Sequence, residues 1–159
     1  MKILILGAGR VGSSLASTLS KQQYEVSVID LSKDKLQRLQ EDFDLAIEVG
    51  HGSYPSTLKK AGADEETILL AVTNSDECNI TSCQIAKSKF NVKKTICRLS
   101  NASYLDSLDA FGDNNIDIAI SPENEVTEHL VDLIKHPGAE QIESFANGSI
   151  KVVSVKAKK

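Results

Sequence analysis

The sequence predicts an α/β protein: a doubly wound parallel sheet of six strands with helices on both faces, plus a C-terminal helix and β-hairpin. Three observations predict it. Short apolar runs alternate with helical patterns through the first 135 residues, the rhythm of βαβ units with right-handed crossovers. The first run, Ile3-Leu4-Ile5-Leu6, has no polar interruption, as in a strand buried on both faces. Glycines 7, 9 and 12 then join that run directly to a helical pattern.

Each element can be justified in turn. The first strand covers residues 2–6, and the first helix, 11–21, carries Val11, Leu15, Ala16 and Leu19 on one face. The second strand is 25–30; the second helix, 33–42, is opened by Ser32 as N-cap. The third strand, 45–49, leads into a short helix at 55–61, with Pro55 in its first turn and Gly62 as its stop. The run at 67–73 is the most apolar and reads as a central strand. A helix at 76–89 follows, with Asp76 and Glu77 at its start, where the dipole favours them. The fifth strand is 94–98. The next helix, 101–111, is capped by Asn101 and stopped by Gly112. The sixth strand is 116–120, and a helix at 123–135 ends before Pro137-Gly138. The rhythm then breaks: residues 140–146 and 150–155 flank Asn147-Gly148, a strong hairpin signal. The expected division is a nucleotide-binding domain at 1–136 and a hairpin or linker at 137–159, with the chain cut from something longer.

Composition narrows the function classes. Hydrophobic residues make up 41% and charged residues 25%, ordinary values for a soluble globular domain. The net charge of −4 argues against a nucleic-acid face; the basic tail from Lys156 reads as a solvated end. No apolar stretch reaches a membrane span, and Met1-Lys2 runs straight into a strand with no signal peptide. A cytoplasmic protein without direct membrane insertion is expected. Three cysteines do not suggest a disulfide framework; Cys78 and Cys83 read as small core-facing helix residues rather than metal ligands.

The glycine spacing Gly7-Ala8-Gly9-Arg10-Val11-Gly12 carries the chemistry. Gly7 permits the tight turn, Gly9 leaves backbone open to a pyrophosphate, and Gly12 lets helix and sheet approach closely. Free N–H groups at the helix start face the anion. The motif alone is weak, but Asp30 ends the second strand eighteen residues beyond Gly12, close to the roughly 20 expected of a ribose-binding carboxylate. A carboxylate there repels a 2′-phosphate and favours NAD(H) over NADP(H), with Lys33 a slight offset. The competing reading is a fold of this type that binds nothing.

Ligands of such sheets lie beyond the carboxyl ends of the strands. Arg10 lies along phosphates or points to solvent. Leu31, His51 and Gly52 follow the second and third strands; His51 touches adenine or is an ordinary loop histidine. Thr73 and Asn74 bond a ribose or adenine, or merely cap the following helix. Arg98, ending an apolar strand, pairs with phosphate or with a local carboxylate. Ser121, Pro122 and Glu123 follow the sixth strand; Glu123 suits a helix start, with a cation-ligand role as the alternative. His129 and His136 read as surface residues. No Ser-His-Asp set, Cys-His pair or carboxylate dyad stands out, so no catalytic residue is assigned.

The chain resembles the TrkA family, the peripheral subunits of bacterial Trk potassium uptake systems. The resemblance rests on Met1–Gly12, Gly50-His-Gly-Ser53, Leu70–Asn79, Ile120-Ser-Pro-Glu123 and His136-Pro-Gly-Ala139 with the hairpin. It implies an RCK-type (KTN) regulatory domain that is not an enzyme, binds NAD or NADH and also responds to ATP or ADP. Its site would be Gly7 to Val11, Asp30, His51-Gly52, Thr73-Asn74 and Arg98. It further implies dimers or tetramers placed peripherally on the inner membrane face beneath a Trk-type potassium-translocating subunit. The chain matches only the first part of such a subunit. The alternative is the cofactor domain of an NAD-dependent oxidoreductase lacking its substrate domain; a structural domain without ligand is a third.

Overall fold

A computed structural model of the chain describes residues 1–108, 115–145 and 150–156. The first unit, Met1–Ser121, contains β1 (Lys2–Leu6), α1 (Arg10–Lys21), β2 (Glu25–Asp30), α2 (Lys33–Asp42), β3 (Ala46–Val49) and α3 (Pro55–Lys60). It continues with β4 (Thr67–Ala71), α4 (Asp76–Phe90), β5 (Lys94–Arg98), α5 (Ala102–Leu105) and β6 (Ile118–Ile120). The six strands form one parallel sheet in the order β3-β2-β1-β4-β5-β6. The order reverses between β1 and β4, where a crevice opens beyond the carboxyl ends. Leu6 pairs with Ile29 on one side and Ala71 on the other. The three strands therefore end level, and their loops converge.

Period-2 alternation divides the core between the two faces of the sheet. Ile3, Ile5, Val26 and Val28 pack with Ala16, Leu36 and Leu39 from α1 and α2. Leu4, Leu6, Ile29 and Leu69 pack with Leu58, Ile80, Cys83 and Ala86 from α3 and α4. All four residues of β1 from Ile3 to Leu6 are buried, as their unbroken apolar run requires. Cys83 lies within this core; the Cys97 thiol beside it, and then burial, push its own thiol far up and keep it neutral.

Helix starts are capped by short polar side chains. Ser32 accepts from the Lys35 N–H, Ser75 from Cys78 and Asn101 from Ser103. At α4 the cap is thus Ser75, not Thr73 or Asn74. β4 stops at Ala71, two residues short of the expected run, because the backbone of Thr73 bonds a side chain of α4 and leaves the sheet. α4 ends at Asn91 in the left-handed region, φ 50°, a conformation asparagine tolerates.

The second unit, Pro122–Lys159, contains α6 (Pro122–Lys135) and an antiparallel hairpin of β7 (Ala139–Phe145) and β8 (Ile150–Val155). The helix expected at 123–135 therefore groups with the hairpin. Lys151 of β8 pairs with Asp132 of α6. The end of the helix expected at 101–111, its stop at Gly112, the Asn147-Gly148 turn and the last three residues of the basic tail lie outside the described residues. No described helix is long and apolar enough to cross a membrane.

Candidate functional site

The carboxyl ends of β1 to β4 surround a cavity of about 320 Å³. Its walls include Gly7 from the first loop, Asp30, Leu31 and Ser32 after β2, His51 and Gly52 after β3, and Thr73 and Asn74 after β4. Of the expected site residues, Gly7, Asp30, His51, Gly52, Thr73 and Asn74 line this cavity, whereas Ala8, Gly9, Arg10, Val11, Gly12 and Arg98 are not among its lining residues. Lys35 and Cys78 also line it. The cation on the wall is Lys35, the third residue of α2, rather than Lys33. Cys78 is half-buried at the cavity while Cys83, five residues on, lies in the core.

The glycine loop fits a pyrophosphate. Gly7 has φ +104°, which favours glycine, and its N–H donates to the Ile29 carbonyl at 2.7 Å. A Cβ on Gly12 would stand 1.8 Å from the Gly7 carbonyl oxygen. A Cβ on Gly9 would meet nothing within 4 Å, so the space over that residue is open. Gly9 is also the N-cap of α1 and supplies no side-chain cap. The N–H groups of Arg10, Val11 and Gly12 begin the helix without partners inside it, as anion binding requires. Arg10 and Val11 are exposed there, and Gly12 is buried. The Arg10 side chain has no bonded partner among the described residues.

Asp30 holds the loop as well as facing the cavity. Its Oδ2 accepts from the Ala8 N–H at 2.6 Å and its Oδ1 from the Ser32 N–H at 2.8 Å. Two donors leave further lone pairs on a carboxylate, enough for ribose hydroxyls. His51 Nδ1 pairs with the Ser53 hydroxyl at 2.7 Å, and the ring lies 5.1 Å from the Tyr54 ring. An aromatic face is thereby fixed at the cavity wall.

Thr73 is anchored by Asn79, a residue with no solvent exposure. Asn79 Oδ1 accepts from the Thr73 N–H and hydroxyl, and Nδ2 donates to the carbonyls of Thr73 and Arg98. Arg98 Nη1 donates to the same Thr73 carbonyl at 3.2 Å. Arg98 thus braces the β4 loop and is not among the residues lining the cavity. Sequence spacing does not single out Asn79, whose targets lie 6 and 19 residues away.

Beyond Asn74 a second, polar cleft of about 520 Å³ opens at the ends of β4 and β5, and Asn74 lines both spaces. Asp76, 8% exposed, shapes its floor by accepting from the N–H groups of Ser100 and Asn101. Glu77 stands on its wall, accepting from the hydroxyls of Ser75 and Tyr104 at 3.0 and 3.1 Å. Its own backbone N–H, then those hydroxyls, hold its carboxyl below the usual range. The same pairing pushes the Tyr104 hydroxyl up. Glu123, His129 and His136 are exposed and belong to the second unit.

Residues 3–122 match the TrkA-N domain. The chain belongs to the TrkA-N domain family. The TrkA-N chain is 42% identical over 159 residues to the Trk system potassium uptake protein TrkA of Halomonas elongata, covering 99% of itself and 35% of that protein. It therefore spans about a third of the length of that curated relative. Among solved structures, it resembles the TrkA-N domain of the inner membrane protein YbaL from Escherichia coli, with a TM-score of 0.73 and 19% identity over 84% and 96% of the two chains. It also resembles the GsuK channel bound to NAD, with a TM-score of 0.68 and 15% identity over 92% and 25%. These likenesses agree with the doubly wound sheet of the TrkA-N unit.

Proposed function

We propose that this domain binds NAD or NADH, or the adenine nucleotides ATP and ADP, and regulates a potassium uptake system without transforming the ligand. The carrying observation is that Gly7 and Asp30 face one cavity while the Asp30 carboxylate holds the glycine loop, whose Gly9 backbone stands open at the start of α1. The N–H groups from Arg10 to Gly12 would hold phosphates, and Asp30 the adenosine ribose. Leu31 and the His51–Tyr54 pair would flank the base. Thr73 and Asn74 would fix the midpoint of a dinucleotide, with Arg98 holding their loop. Any redox chemistry of a nicotinamide belongs to the cofactor itself; these residues bind and orient.

Support for the transport role comes from the family and from the name carried by the H. elongata relative. In this reading the domain works as a homodimer or tetramer, on the cytoplasmic face, against a Trk-type membrane subunit. The second unit, from α6 through Pro137 to the hairpin, is the proposed route to that partner. A ligand that prefers one arrangement of subunits shifts the population toward it. A 100-fold preference supplies about 2.7 kcal/mol per site.

Thermal shift with NADH, NAD, ATP and ADP tests the binding. Ligand at 100 times Kd should stabilise the fold by about 2.7 kcal/mol. No shift with any of the four would overturn the reading. For the transport role, a full-length protein containing this domain should change potassium flux through its reconstituted membrane subunit when nucleotide is added; unaltered flux would reject it.

A further inference from the structure

The glycine loop and Asp30 read phosphates and a ribose, which ATP and NAD share. The discrimination has to come from where the two ligands differ, beyond the second phosphate. In this sheet that region lies past the β1–β4 switch point, and Asn74 joins the first cavity to the cleft there. The cleft is walled by groups suited to a sugar and an amide: the Asn74 and Asn101 side chains, Ser100 and the Tyr104 hydroxyl. It also carries two carboxylates and no cationic side chain among its lining residues. The Asp76 carboxylate is already turned onto the N–H groups of Ser100 and Asn101. Glu77 is exposed, and the hydroxyls of Ser75 and Tyr104 fix its position.

We propose that Glu77 makes this site prefer a dinucleotide over a nucleoside triphosphate. The proposal rests on the nucleotide reading of the first cavity. The second riboside of NAD, with its uncharged or cationic ring, enters the polar cleft beside the Glu77 carboxylate. A terminal phosphate directed along the same path meets that carboxylate, and like charges a few ångströms apart in water lose about tenfold in affinity. The penalty is electrostatic and near the surface, so salt screens it; the Debye length is about 8 Å at 0.15 M ionic strength.

The test is calorimetric titration of the full chain with ADP, ATP and NAD in magnesium-free buffer at low and high salt. ADP fills the first cavity and stops short of the cleft, so it serves as the reference. Wild type should bind NAD about tenfold or more tightly than ATP at low salt, and the ratio should shrink at high salt. Glu77→Gln should raise ATP affinity about 5- to 10-fold and leave ADP within about twofold. Glu77→Asp, which keeps the charge, should retain the NAD preference. If Glu77→Gln leaves the ATP-to-ADP ratio unchanged while ADP binds normally, the Glu77 assignment is overturned and the nucleotide site stands. If wild type binds none of the three, both fall.

Discussion

Asn79 and Thr73 are joined by three hydrogen bonds: Thr73 donates its N–H at 3.0 Å and its hydroxyl at 2.7 Å to Asn79 Oδ1, and Asn79 Nδ2 returns one to the Thr73 carbonyl at 3.1 Å. One buried amide thus substitutes for the sheet partner that Thr73 leaves behind when β4 ends. A fourth bond, to the Arg98 carbonyl at 2.9 Å, ties in the end of β5. The loop at the crevice is fixed from inside the protein, which frees its outer side to meet a ligand.

Asn79→Ala should therefore be among the most damaging single changes in α4. It leaves the Thr73 N–H and the Arg98 carbonyl without their Asn79 partner, while the Thr73 carbonyl keeps Arg98 Nη1, and it opens a small cavity. Unsatisfied buried groups cost about 1–3 kcal/mol each, so a loss of about 3 kcal/mol or more is expected in urea unfolding. A loss under about 1 kcal/mol would show that the amide is dispensable. Nucleotide affinity should fall as well, because Thr73 and Asn74 lose their anchor.

The glycine loop predicts a contrast between two identical substitutions. At Gly12 an added methyl overlaps the Gly7 carbonyl, so Gly12→Ala should shift the helix off the sheet and cost roughly 2–3 kcal/mol. At Gly9 the same methyl meets open space at an ordinary φ of −77°. Gly9→Ala should change stability by under about 1 kcal/mol while weakening nucleotide binding at least tenfold. Thermal melts with and without NADH separate the two effects. Equal affinity in Gly9→Ala and wild type would remove the phosphate from that space.

How much of this was legible in sequence depended on distance along the chain. The loop, its helix and Asp30 follow from local spacing, and Gly7 and Asp30 line one cavity, with Asp30 bonded to the Ala8 N–H of the loop. The boundary of β4 did not follow: Val72 still donates to the Leu6 carbonyl at 2.9 Å, and it is the N–H of Thr73 that turns from the sheet to Asn79. Lys33 and Lys35 differ by a helix turn's geometry, which composition does not specify. Asp76 reads as a helix-start acid, and its hold on Ser100 and Asn101 spans 24 and 25 residues. Such long-range side-chain-to-backbone bonds leave no periodic trace.

Asp30 has two roles, and a pair of variants should divide them. Asp30→Ala removes the ribose acceptor and the bonds to Ala8 and Ser32. Hydrogen bonds to a charged group contribute about 1.5–3 kcal/mol, so both stability and affinity should drop. Asp30→Asn keeps an acceptor for one of the two N–H groups, sets its own NH2 against the other and loses the charge. It should lose less stability than Asp30→Ala, and its discrimination against NADP(H) should relax. If Asp30→Asn still excluded NADP(H) as strongly as wild type, the carboxylate would not be the selecting group.

Acid stability should reflect carboxylates at the amino ends of the strands. Burial alone would raise the Asp117 carboxyl, but Lys87 at 2.8 Å and the N–H and hydroxyl of Thr95 outweigh it and hold it below its ordinary value of 3.8. Asp64 is likewise held down, first by Lys2 at 2.7 Å and then by Thr67. A depressed folded-state value means the contribution is complete above the unfolded pKa and is lost as pH falls through the folded one. Urea midpoints should therefore be flat with respect to these groups above about pH 5 and fall progressively below about pH 4. Lys87→Met and Lys2→Met should each flatten that acid limb, most for Lys87, whose pair is the less exposed of the two. An unchanged slope between pH 5 and 2 in both variants would show that neither ion pair governs acid unfolding.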